Sequence, residues 1–381
     1  MDEGRRFCFQ TIFSSHVQSS VGEAVVAMKR SSFVRLGWLL VGILILLLFI
    51  SYMGASGVLL VLSRVSLIAI VLLILVELVG FLMYGTTWYV LIRSSGHRIR
   101  FGMCQTITFA SVFISFLTSS GFVLESMRVV LGSKEAGMHT GESASTVILH
   151  RVVYIITVLV TTAMAMLTLS VRGWLPPAEA VHLELASGLL IIVILVGIFV
   201  SLSPRFIKPL QSVMTRIVRP IANHIQRLQE HEVSWTVERF LTDYENTFRR
   251  LLSNRRGMLL TFFCSVGDWS CSIILLWGIL LTLGHVASVW IVVIAMAIGE
   301  MIEMIPIPIP GMLGIYETSL TATLITFGVP GTISASATIL LRLITSVFDI
   351  PATGYAAYRY GYGVLMRKLS GSTGVIHPTM N

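Results

Sequence analysis

Stretches of twenty residues or more without an acidic residue, lysine or arginine recur along this chain, most clearly between Arg35 and Arg64, Arg151 and Arg172, Glu184 and Arg205, and Asp268 and Glu300. A helix that crosses hydrocarbon needs about 20 such residues, and only internally hydrogen-bonded backbone is tolerated there. Only 12% of the residues are charged, against about 25% in soluble domains. These features predict an all-α, polytopic transmembrane helix bundle, with about 7–8 spanning helices and one or two broken or re-entrant segments.

The net charge of +8 lies in short basic stretches between the apolar runs. That distribution follows the positive-inside rule and is not a nucleic-acid footprint. Lys29, Arg30 and Arg35 place the N-terminus in the cytoplasm, and the first apolar run reads as a retained anchor because no small-residue cleavage site precedes it. The loop with Arg93, His97, Arg98 and Arg100 reads as cytoplasmic, as does the insert Arg205–Arg256, whose ten Lys/Arg face five Asp/Glu. Three apolar stretches lie between these basic segments, so one must enter and leave on the same face. The serine- and threonine-rich stretch 101–124 is the re-entrant candidate, since hydroxyls satisfy broken backbone locally. The organisation expected is a cytoplasmic segment 1–35, a first membrane half 36–203, a basic interfacial insert 204–256, a second membrane half 257–360 and a polar tail 361–381. Apolar residues at helical spacing from Phe206 to Leu228 suggest a helix lying on the inner leaflet.

The segment from Glu300 to Glu317 puts three carboxylates, Glu300, Glu303 and Glu317, around Pro306, Pro308 and Pro310. Proline breaks the helical ladder, and a carboxylate in hydrocarbon costs several kcal/mol unless paired or facing a wet cavity. The segment 305–330 therefore reads as a broken element within a polar site. Other charges in or beside apolar runs extend that site. Glu125 and Arg128 are three apart, and Arg342 and Asp349 seven apart, so each pair shares a helix face. Arg151 opens an apolar run beside His150. Arginine forms bidentate contacts with phosphate, and a helix start after Gly314 adds a positive dipole end. Glu77 and Asp268 interrupt apolar runs without a local partner and rank second.

Signatures of nucleotide, metal or nucleophile chemistry are absent: there is no G-x-G-x-x-G, G-x-x-x-x-G-K-[ST], H-E-x-x-H or G-x-S-x-G. Cys264 and Cys271 are read as packing residues. No cofactor, metal or catalytic residue is expected.

Pro310-Gly311-Met312-Leu313-Gly314-Ile315-Tyr316-Glu317, then Gly328-Val329-Pro330 and Leu341-Arg342, resembles the second signature of the lysylphosphatidylglycerol synthetase membrane-domain, or flippase-like, family. Ser119–Arg128 and His150-Arg151 are similar to its first. Ser119 and Ser120 replace a usual proline, Met312 a glycine, Tyr316 a frequent arginine and His150 an acidic residue. The resemblance implies two pseudo-symmetric halves, each with a broken segment, and movement of a lipid or a lipid-linked sugar or amino acid between leaflets. Bifunctional members add a soluble transferase domain, which is not expected in a chain stopping at Asn381.

The leading expectation is a multi-pass flippase-like protein of the cell membrane. An anionic phospholipid or polyprenyl-phosphate-linked substrate would meet Glu125, Arg128, Arg151, Glu300, Glu303, Pro310, Gly311, Gly314, Glu317, Arg342 and Asp349. The alternatives are a membrane-embedded transferase using Glu303 or Glu317 as general base, and a non-transporting partner subunit. Homo-oligomerisation is left open.

Overall fold

The computed structural model describes residues 65–118, 121–172, 230–303 and 312–372, with Gly188, Ile192 and Ile309 besides. Among the described residues every regular element is helical: α1 (Leu67–Ser94), α2 (Phe101–Thr118), α3 (Gly121–Ala136), α4 (Thr140–Val171), α5 (Glu230–Ser253), α6 (Arg255–Thr282), α7 (Val289–Glu303), α8 (Ile315–Thr326) and α9 (Gly331–Ser372). The apolar runs ending at Arg64 and Arg205 and the proposed interfacial helix fall outside, wholly or nearly so, as do Pro310 and Gly311.

Polar caps fix where the helices begin. Ser66 accepts from the Ala69 amide at 3.2 Å, Glu142 from the His139 amide at 2.8 Å and Asn254 from the Gly257 amide at 3.1 Å, each satisfying a first-turn N–H that has no partner in the helix. α1, α4, α6 and the Gly331–Gly361 part of α9 are long and apolar enough to cross a membrane. At 1.5 Å per residue the 28-residue α1 extends about 42 Å, past a hydrocarbon core of about 30 Å. Leu72, Val160, Phe263 and Val347 point outward from these four helices, the arrangement lipid requires.

The contacts assign each helix a direction. α1 ends, α4 begins and α6 begins at a common basic end: His97 Nε2 lies 3.4 Å from Glu142, Arg250 Nη1 donates to the Ser95 carbonyl at 3.1 Å, and Gly257 abuts Ser94. α2 leaves this end and α3 returns to it, since Ile99, Cys104, Met138 and Val147 share one buried cluster. The two form a helical hairpin within the bundle. The stretch 101–124, expected to be re-entrant, covers α2 and the start of α3, and α3 continues to Ala136.

The second half repeats this arrangement upside down. α6 runs to the opposite end, and α7 starts back from there but stops after 15 residues at Glu303. α8 packs antiparallel on it, with Tyr316 and Leu320 against Gly299. This hairpin therefore opens at the opposite end, and the expected broken segment 305–330 holds the turn after α7 and all of α8. α9 begins there after Pro330 and returns to the basic end, where Tyr360 Oη donates to Glu135 at 3.1 Å. The order helix, hairpin, helix (α1, α2–α3, α4, then α6, α7–α8, α9) thus occurs twice with opposite sense. The amphipathic α5 covers the basic end, burying Phe248 and Leu251 against Leu91, Leu149 and Val153.

Candidate functional site

A cavity of about 360 Å³ lies between the two hairpins. Each wall is one helical stripe, because residues three, four and seven apart share a face. α1 contributes Glu77, Phe81 and Tyr84; α6 contributes Asp268, Cys271 and Leu275; α9 contributes Arg342, Ser346 and Asp349. α4 adds Arg151 and Tyr154, α7 adds Glu300 and Glu303, and α8 adds Tyr316. Close approach of α1 and α6 depends on Gly80, where a Cβ would stand 3.1 Å from Cys271 Cβ.

Two arginines face this space, and a glutamate and a tyrosine hold each of them. Arg342 Nε donates to Glu317 Oε1, and its guanidinium lies 4.8 Å from the Tyr316 ring centroid. Arg151 Nε is 3.8 Å from Glu125 Oε1 and 6.0 Å over the Tyr154 ring. Cation–π contacts of this kind favour a fixed guanidinium position. Tyr154 and Glu300 are within hydrogen-bonding reach of each other. Arg342 Nη2 and Asp349 Oδ1 are buried without a hydrogen-bond partner among the described residues.

Not every residue expected in the site lines it. Arg128 is fully buried behind the cavity wall: it donates to Tyr84 Oη at 3.1 Å, Glu125 Oε2 at 3.2 Å and His150 Nδ1 at 2.6 Å. Its guanidinium also sits 4.5 Å over the Trp88 ring. It therefore holds Glu125 in place and is not free to meet a ligand. Glu317 is likewise fully buried and takes the Gly314 amide at 2.6 Å. Gly314, at φ +83, caps α8 through that amide, so the positive helix end is already occupied by the chain's own carboxylate. Arg342 and Asp349 share a face as expected but do not pair, because Arg342 is taken by Glu317.

Two residues ranked second become prominent. Glu77 and Asp268 both enter the cavity, and with Glu300, Glu303 and Asp349 they make five lining carboxylates against two lining guanidiniums. Among the described residues none of these five forms an ion pair. The signal was already in the sequence: a lone carboxylate in an apolar run, with no local partner, must face the bundle interior or a wet cavity. Among the described residues no group of three histidine, cysteine or acidic side chains is placed to hold a metal ion.

The family profile described as the lysylphosphatidylglycerol synthase TM region matches residues 36–352. A UPF0104 membrane protein of Pyrococcus horikoshii is 23% identical over 319 residues, covering 82% of this chain and 92% of that one.

Proposed function

Since the chain belongs to the lysylphosphatidylglycerol synthase TM-region family, we propose that it moves the headgroup of an anionic lipid, or of a lipid-linked sugar or amino acid, between leaflets through the cavity between its hairpins. The observation that carries this reading is the pair of arginines facing one polar cavity in the middle of four apolar helices. Guanidinium keeps its charge and grips phosphate in two-point contact. Arg342, with a buried nitrogen still unpartnered, is placed to accept such a group. The acyl chains stay in lipid while the headgroup enters. Carboxylates outnumber guanidiniums on the walls, which favours a headgroup that also bears an ammonium, as an amino-acid ester does. The basic end, with Arg93, Arg98, Arg100, Arg255 and Arg256 exposed, is assigned to the cytoplasm by the positive-inside tendency.

A transferase would need a free carboxylate near the substrate, and Glu317 is locked by Arg342 and the Gly314 amide. Of the two carboxylates expected in that role, Glu303 alone remains on the cavity wall. The deciding experiment is transfer of fluorescent-headgroup phospholipids in liposomes carrying purified protein. Arg151→Ala and Arg342→Ala are expected to cut the rate at least tenfold. Wild-type rates in both variants, or a covalent product in place of transfer, defeat the proposal.

A further inference from the structure

The two halves of the bundle bring the same three side chains to the cavity. In one, Glu125, Arg151 and Tyr154 meet; in the other, Glu317, Arg342 and Tyr316. The correspondence of glutamate and arginine extends to position, whereas the tyrosine shares the arginine's helix in one half and the glutamate's in the other. Glu125 and Arg151 lie twenty-six residues apart, and Glu317 and Arg342 twenty-five. Each arginine is the twelfth residue of its helix, counting from Thr140 in α4 and from Gly331 in α9. α4 starts at the basic end and α9 at the other, so each arginine sits about 16 Å inside its own end, near mid-depth in a core of about 30 Å.

Each glutamate belongs to a hairpin, and the hairpins open at opposite ends: Glu125 is on α3, Glu317 on α8. A carboxylate offers a guanidinium nearly the planar pair of oxygens that a phosphate offers. It can therefore hold a guanidinium as an anionic ligand would.

We infer that Arg151 and Arg342 are two equivalent half-sites for one phosphate-bearing headgroup, that Glu125 and Glu317 are latches standing in for that phosphate, and that each hairpin releases its arginine to the face at which it opens. This rests on the translocase reading and adds a two-station path to it. The headgroup phosphate displaces one carboxylate at a time and passes between stations at mid-depth. The arrangement follows the general logic of inverted repeats around a central site.

The latch makes an unusual demand on mutagenesis, because removing a ligand-facing charge must strengthen binding. The probe is dihexanoylphosphatidylglycerol, a water-soluble phosphodiester lipid, titrated calorimetrically into the purified full-length protein. Glu125→Gln and Glu317→Gln are each expected to tighten binding three- to tenfold, by removing an internal competitor. Arg151→Gln and Arg342→Gln singly are expected to bind within about threefold of wild type but to transfer lipid at least tenfold more slowly. The double arginine variant should not bind. Should Glu317→Gln fail to fold, Glu125→Gln, whose carboxylate is partly exposed, decides alone. Unchanged or weaker binding in folded glutamate variants overturns the latches, and loss of all binding in either single arginine variant overturns the two stations. Wild-type protein that binds the probe yet moves no lipid removes the translocase reading itself, and the path with it.

Discussion

Arg128 and Arg151 show how burial separates two arginines that look alike in the sequence. The Arg128 side chain is 0% exposed and Arg151 is 35% exposed toward the cavity. Removing one partner of a buried charged pair leaves the other uncompensated, a cost of about 3–5 kcal/mol. Arg128→Ala is therefore expected to lower the thermal midpoint in detergent by several degrees. Arg151→Ala, a cavity-facing change, should leave that midpoint near wild type while abolishing transfer. Equal stability in the two variants contradicts the assignment of Arg128 to the supporting wall. The sequence marked both as charges in apolar context, and spacing paired Glu125 with Arg128 correctly. It could not separate wall from lining, because that depends on Tyr84, Trp88 and His150 closing over Arg128 from other helices. Local spacing put Arg342 and Asp349 on one helix face, as observed, but could not show that a carboxylate on α8 takes Arg342.

At the level of elements, the hairpins and the helix that braces them set the architecture. α5 lies so close to the start of α4 that a Cβ on Gly141 would stand 2.2 Å from the Phe240 carbonyl oxygen. Backbone cannot yield there as a flexible side chain can. Gly141→Val should push α5 away, costing about 1–3 kcal/mol, and expose the α4–α5 region to limited proteolysis. An unchanged cleavage pattern and midpoint argue against the brace. Hydropathy made α1, α4 and α6 legible, since each is long and strongly apolar, interrupted in α1 and α6 by a single carboxylate. It did not reveal α3 as the return arm of a hairpin, because Glu125, Arg128, Lys134 and Glu135 make that helix look like a polar loop. Nor did it show that α7 stops inside the bundle. Its 15 residues are as apolar as a crossing helix, and only the antiparallel contact with α8 gives its direction.

At the scale of the whole molecule, the described residues form two copies of one plan related by reversal, so the open ends of the hairpins are expected on opposite sides of the membrane. Single cysteines at Arg98 and Lys134 should label with an impermeant thiol reagent from one side only, and cysteines at Val286 and Thr326 from the other. All four positions are exposed, and the background is freed of the four native cysteines. Labelling of all four from one side refutes the inverted arrangement. The family profile covers both halves, and two pseudo-symmetric halves were expected from the short signatures around Glu125 and Glu317. The opposite entry of the hairpins was not readable, since it rests on pairings such as His97 with Glu142 and Gly299 with Tyr316.

Tyr360, near the close of α9, donates a hydrogen bond to Glu135 on the first hairpin. Through that strut, displacement of α3 would pull on the helix that carries Arg342, so that under the translocase reading movement at one face would be felt at the other. Under the proposed translocase reading the two faces must never open together, and a mechanical linkage of this kind would enforce turn-taking between them. Tyr360→Phe keeps the ring and removes the strut. It should raise the leak of a trapped dye from proteoliposomes severalfold at wild-type protein levels, and tight vesicles would show that turn-taking is imposed elsewhere.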